Sequence, residues 1–259
     1  MRDRGLSEAI RAVGGVSELA RRVGISQPSV SNWDRVPAER VVAVEQATGI
    51  ARTMLRPDLY GEEMGNIVSL DETEIARAQE YRLLATLLVR APNADLLSRV
   101  GKLRADASPL GLAHAALAES ADATSAEKAE REFFNLFIGL GRGELLPYAS
   151  YYLTGFLHER PLARLREELV QLGIERADGN PEPEDHVATL CEVMAGLIDG
   201  HFGAPGGNDR QFFEKHLSPW IERFFADLEQ VDGADFYRRV GTLGRRFMEI
   251  EKEAYALPS

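Results

Sequence analysis

The chain has 259 residues, 44% hydrophobic and 27% charged, a globular composition long enough for one large domain or two smaller ones. Its single cysteine, Cys191, excludes an internal disulfide, and no Cys/His cluster has the spacing of a zinc site, so a reducing cytoplasm suits it and neither metal nor cofactor is expected. The net charge of −11 is uneven: residues 1–60 hold 9 Lys/Arg against 7 Asp/Glu, and the remainder hold 21 against 34, so the first part suits a polyanion and the second a cationic ligand.

No apolar run approaches the roughly 18 to 20 residues of a membrane span, so no membrane insertion is expected. The start MRDRGLSEAI lacks a following signal-peptide apolar region, as do the pairs Arg21-Arg22, Arg238-Arg239 and Arg245-Arg246. The chain is therefore not expected to be an export substrate itself.

Nearly every segment has a helical period and none alternates long enough for a strand, which predicts an all-α fold: a small helix-turn-helix bundle followed by a larger helical bundle. In residues 1–60 the spacing predicts short helices over Leu6–Val13, Ser17–Val23, Gln27–Trp33 and Ala38–Thr48. The string VSELARRVGISQPSVSNWDR has the layout of helix-turn-helix, with a GIS turn between two short helices. Ser26 is placed to cap the second helix, Pro28 suits its first turn, and Ile25, Val30 and Trp33 form its inward face. Gln27, Ser29 and Asn32 then point outward with the chemistry to read base edges, and Arg21, Arg22 and Arg35 are placed for phosphates. The region resembles the Cro-like and YdaS-like helix-turn-helix families through ELARRVGISQPSVSNWDRVPAERVVAVEQATGI and LRPDLYG, although the loop between Arg35 and Pro37 is shorter than is usual there. The resemblance implies binding to operator DNA, as a homodimer on two half-sites because basic residues are few. The alternative is a dimerisation or docking module that reads no DNA.

Apolar periodicity is lost after this region, which places a linker at residues 61–73 and a second domain at residues 74–259. The spacing predicts helices over Glu72–Arg90, Asn93–Gly101, Pro109–Glu119, Ser125–Leu140, Ser150–Leu157, Pro161–Leu172, Pro183–Asp199, Asn208–Val231 and Asp235–Tyr255. The string EREFFNLFIGLGRGELLPYASYYLTG joins an aromatic helix to a second one through a glycine-rich break, with Ser150 placed as the N-cap. It lacks the Gly-Lys-Ser/Thr ending of a P-loop. Tyr148, Tyr151, Tyr152 and Phe156 around the break either line an apolar groove or seal the core. In PEPEDHVATLCEVMAGLID, Pro183, Glu184 and Asp185 suit a helix start, Asp185 falls outside the buried stripe that contains Cys191, and His186 is explained by neither. His114, His158, His201 and His216 stand isolated in the sequence.

From Tyr81 onward the chain resembles the TorD/DmsD family of redox enzyme maturation chaperones. The resemblance rests on EYRLLATLLVRAP, on Glu132, Phe133, Leu136, Phe137, Gly139, Pro147 and Ser150 of the second string, and on Glu182, Pro183, Asp185 and His186 of the Glu-Pro-x-Asp-His motif. It implies a cytoplasmic, non-enzymatic chaperone for the twin-arginine leader or apoprotein of an exported molybdenum-containing oxidoreductase, with a formate dehydrogenase favoured as client. The leader would meet Asp185, His186, Pro183, Glu182, Pro147, Ser150, Tyr151 and Phe137. A receptor for guanidinium groups followed by apolar residues needs carboxylates beside an apolar groove. The alternative is a transcriptional regulator whose second domain senses the leader or apoenzyme. Asp185 and His186 are adjacent on a predicted helix and so point about 100° apart, which argues against a catalytic relay.

Overall fold

In the computed structural model, which describes residues 3–60, 71–176, 182–202 and 207–257, regular structure is entirely helical; among the described residues the sole β-type pairing is an isolated bridge between Tyr148 and His186. The chain divides into two compact units, residues 1–69 and 70–259, each with its own hydrophobic core. Residues 61–70 of the expected linker lie outside the described residues, and Glu72 already belongs to the next helix. No helix among the described residues is long and apolar enough to cross a membrane.

The first unit contains α1 (Arg4–Val13), α2 (Val16–Val23), α3 (Gln27–Ser31), a 3-10 turn (Ala38–Arg40), α4 (Val41–Thr48), α5 (Arg52–Leu55) and α6 (Pro57–Tyr60). The Asp3 carboxylate caps α1 by accepting from the Leu6 N–H at 2.8 Å, and Leu6, Ala9, Leu19, Ala20, Val30, Val41, Val44 and Leu55 make its core. Ser26 does stand at the N-cap of α3, but its hydroxyl pairs with Ser29 Oγ at 2.7 Å and caps no backbone group. α3 is two residues shorter than the spacing predicts, since the turn bonds Asn32 N–H to Pro28 O and Trp33 N–H to Val30 O close it after Ser31.

The second unit contains α7 (Glu72–Val89), α8 (Ala94–Val100), α9 (Pro109–Ala123), α10 (Ala126–Phe133), α11 (Ala149–Thr154), α12 (Arg160–Gln171), α13 (Val187–Ile198), α14 (Asp209–Phe212), α15 (Ile221–Glu229) and α16 (Asp235–Ala256). Asp71 and Glu74 start α7 with a reciprocal capping box. α13 lies along α7, and α16 packs against α15, α9 and α7. α13 is buried on nearly every face, Thr189 and Glu192 excepted, so it is the central helix of the unit rather than an amphipathic one at its surface. The buried Glu251 carboxylate is paired, taking both Arg77 nitrogens at 2.7 and 2.8 Å and the Tyr81 hydroxyl at 3.0 Å.

Three predicted helices are corrected. The one expected over residues 125–140 passes from α10 into a π-turn, Phe134–Ile138, and stops at Gly139, whose φ of 62° is left-handed. The one expected over residues 208–231 is broken by a second π-turn, Phe213–Leu217, and restarts at Ile221 because Pro219 offers no N–H to a continuing helix. The one expected from Pro183 starts four residues later, at Val187, because the backbone of Asp185 is engaged by another segment.

Candidate functional site

That segment is the run before α11. Val187 N–H donates to Pro147 O at 2.8 Å and Ala149 N–H donates to Asp185 O at 3.0 Å, a short antiparallel clasp between the two motif strings. It places two helix N-termini side by side, where exposed N–H groups need acceptors. Asp185 Oδ2 accepts from Ser150 N–H at 2.8 Å and so caps α11 from outside the helix. His186 stands at the N-cap of α13, its Nδ1 accepting from Ala188 N–H at 3.2 Å, which requires Nδ1 to carry no proton.

Two expectations are overturned here. Ser150 is not the N-cap of α11: it is the second residue of that helix, fully buried, and its Oγ has no partner within the described residues. Asp185 does not lie on an outward helix face: it precedes the helix and is only 1% exposed, while His186 is 7% exposed. Burial holds the His186 imidazole down at about 4, outweighing the raising influence of Glu182 and Asp185. The Tyr148 ring meets the His186 ring edge-on at 5.2 Å, and its hydroxyl donates to Glu182 Oε2 at 2.5 Å. Burial, then that carboxylate, pushes the phenol well above its usual range.

The clasp gathers Glu182, Pro183, Asp185, His186, Pro147 and Ser150 in one place. Tyr151 sits one residue further along α11, where its hydroxyl accepts from Arg142 Nη2 at 2.7 Å and its ring lies under the same guanidinium at 5.3 Å. Phe137 is not brought to this place; its ring packs on Phe133 at 5.1 Å and Tyr237 at 5.5 Å. Of the four aromatics around the glycine-rich break, Tyr152 is buried against Trp220 and Phe224, sealing the core, whereas Phe156 is exposed.

Beside the clasp lies a cavity of about 490 Å³ walled by α11, α12, the start of α13 and the second π-turn. Its apolar wall includes Leu153, Pro161, Leu165 and Leu190, and its polar groups include Arg164, Glu168, Asp185, Lys215 and His216. Glu168 accepts from Lys215 Nζ at 3.0 Å and pairs with His216 Nε2 at 3.0 Å. Burial raises its carboxyl, but those two partners outweigh it and hold the group below the usual carboxylate range. Asp185 is one of the lining residues, and its second oxygen, Oδ1, is buried and has no hydrogen-bond partner among the described residues. The wall residues from α12 and the π-turn had no counterpart in the sequence reading, since they stand next to Asp185 only after folding. His216 and His114 are not isolated: His114 Nε2 meets Glu80 Oε2 at 2.9 Å, as His216 meets Glu168. Cys191 lies on the buried stripe as expected, its thiol pushed up by burial.

In the first unit, Gln27, Ser29 and Asn32 are exposed on α3 and at its end, as is Arg35 beyond it. Arg21 and Arg22 are exposed but occupied: Glu18 accepts from Arg21 Nη2 at 2.6 Å and from Arg22 Nε at 2.9 Å. Those hydrogen bonds hold the Glu18 carboxyl down at about 2. The arginines thus meet a phosphate in competition with the Glu18 carboxylate.

The second unit is thus an all-α bundle with a buried, half-satisfied carboxylate among the residues that line a cavity, and the unit before it is a helix-turn-helix bundle. Residues 103–226 match the family model described as the nitrate reductase delta subunit, and residues 6–64 match the one described as bacterial toxin YdaS. The chain is 25% identical over 214 residues to the chaperone protein TorD of Shewanella loihica, covering 73% of this chain and 98% of that one. It is 27% identical over 198 residues to TorD of Aliivibrio fischeri, covering 68% and 92%. With TorD of Vibrio parahaemolyticus it shares 25% identity over 136 residues, 49% of this chain and 63% of that protein's length. The first unit is thus similar to the YdaS helix-turn-helix family, and the second to the TorD chaperones.

Proposed function

We propose that the protein is a cytoplasmic, non-enzymatic chaperone that holds the twin-arginine leader, or the cofactor-free apoprotein, of an exported molybdenum-containing oxidoreductase. A formate dehydrogenase is the first client to test. The observation that carries this reading is Asp185: its second carboxylate oxygen is buried without a donor, which costs on the order of 1–3 kcal/mol or more, and the residue is among those lining a cavity of about 490 Å³. A guanidinium entering that cavity supplies the missing N–H and the opposite charge together. Asp185 and His186 both serve helix starts. Asp185 Oδ2 and His186 Nδ1 each already accept a backbone N–H, so neither atom is available as the base of a relay.

The test is calorimetric titration with a twin-arginine leader peptide. Wild type should bind, and Asp185→Asn, which keeps an acceptor for Ser150 N–H while removing the charge, should bind at least tenfold more weakly without loss of helicity. Absence of binding by wild type to every leader tried would end the proposal. A second reading, regulation of transcription through operator DNA, is favoured by the exposure of Gln27, Ser29 and Asn32. It calls for a salt-dependent mobility shift that the double substitution Gln27→Ala, Asn32→Ala abolishes.

A further inference from the structure

The cavity beside the clasp carries charges of both signs, and they differ in how far they are already matched. α12 turns Pro161, Arg164, Glu168 and Gln171 toward it, positions three or four apart that share one face of the helix. Glu168, within this stripe, is occupied by Lys215 and His216. Arg164 and Glu167 also line the cavity, both are exposed, and neither side chain makes a hydrogen bond or ion pair among the described residues. Asp185 lines it too, is only 1% exposed, and keeps one carboxylate oxygen without a partner. With Glu168 and its two partners set aside, three unmatched charges are left. A carboxylate is buried, and a guanidinium and a second carboxylate stand where solvent reaches them. Arg164 and Glu167 are three residues apart on α12, which sets their Cβ atoms roughly 5–6 Å from each other.

We infer that the cavity binds a free basic amino acid, side chain first: its cationic tip meets Asp185, its α-carboxylate meets Arg164 and its α-ammonium meets Glu167. The match is charge for charge, because such a ligand carries two cations and one anion and the three unmatched groups are two anions and one cation. Burial sets the direction of entry, since the lone tip belongs with the buried carboxylate and the two α-groups, which share one carbon, belong with the neighbouring pair on α12. Leu153, Leu165 and Leu190 line the cavity as well and suit the methylenes between. A residue inside a polypeptide keeps the tip but has lost both α-charges to its peptide bonds. Arg164 and Glu167 therefore distinguish a free amino acid from a chain. The inference rests on the proposed cation seat at Asp185 and is separable from the chaperone reading at those two residues.

The experiment is calorimetric titration of the full chain with four small ligands. They are L-arginine, agmatine, which lacks the carboxylate, Nα-acetyl-L-argininamide, which lacks both α-charges, and L-citrulline, whose tip is uncharged. The proteins are wild type, Arg164→Gln, Glu167→Gln and Asp185→Asn, with folding checked by circular dichroism. Wild type should bind L-arginine about tenfold or more tightly than each of the other three. Arg164→Gln should weaken L-arginine about tenfold and leave agmatine unchanged, and Glu167→Gln should weaken both and leave the acetyl amide unchanged. Asp185→Asn should erase the preference for L-arginine over L-citrulline. No binding of L-arginine up to about 10 mM, equal binding of L-arginine and its acetyl amide, or a citrulline preference unmoved by Asp185→Asn overturns the inference. A leader peptide titrated in the same series keeps the two readings apart. Leader binding without L-arginine binding overturns the amino acid site and leaves the chaperone reading standing, and L-arginine binding without leader binding does the reverse. Where both bind, L-arginine should displace the leader, and simultaneous binding overturns the shared seat.

Discussion

Asp185 uses one carboxylate oxygen to start a helix and leaves the other in a cavity, so substitutions at this position carry two meanings. Asp185→Ala removes the outside cap of α11 and should cost about 1–2 kcal/mol of stability, whereas Asp185→Asn should cost clearly less; urea denaturation separates them. An alanine effect on ligand binding without this comparison would confuse a cap with a contact. His186 makes the pair sensitive to acid. The unfolded imidazole takes up its proton near 6.5 and the folded one only at about 4. The unfolded state therefore binds more protons across that window, and stability rises with pH through it. About 3 kcal/mol present above pH 6.5 should be lost by about pH 4, and His186→Gln should flatten that part of the profile measured by denaturant titration. The Asp-His pair was legible in the sequence as something a helix start does not require. Its roles were not, because Ser150 lies 35 residues away from Asp185 and meets it only through the clasp.

At the scale of elements, helix existence was readable from apolar spacing and helix boundaries were not. α7, α8, α9, α12 and α16 stand within a few residues of their predicted spans, since capping residues such as Asp71, Asn93 and Ser108 mark their starts. The two π-turns escape a 3.6-residue reading because the stripe through Phe213, Leu217, Trp220 and Ile221 is buried on both sides of the break. The loop after the first π-turn depends on close backbone approach. A Cβ at Gly143 would stand 2.5 Å from Phe137 C and 2.6 Å from Leu136 O, both backbone atoms that have no rotamer to escape through. Gly143→Ala should therefore cost more than about 2 kcal/mol. Leu140→Ser on the same loop, at a nearly fully exposed side chain, should stay within about 0.5 kcal/mol. Thermal denaturation of the two variants measures the contrast.

At the scale of the molecule, the two units have separate cores, one drawn from Leu6 to Leu55 and the other from Ala78 to Met248. Calorimetry should show two unfolding transitions, and removal of residues 1–69 should delete one of them while leaving leader affinity unchanged. The uneven charge of the sequence pointed to this division and the periodicity to its all-helical character; neither carried the cavity, whose wall comes from α11, α12, α13 and a π-turn. The clasp between residues 147–149 and 185–187 has a bearing on how occupancy of that cavity is felt. The amide protons of Ser150, Ala188, Ala149 and Val187 are all held by the clasp or by the side chains it positions. A cation that steadies Asp185 from the cavity side steadies the hydrogen bonds of those four amides, so their exchange with deuterated water should slow on binding. Four protons that touch no ligand would then time its arrival and departure, across two helix starts at once.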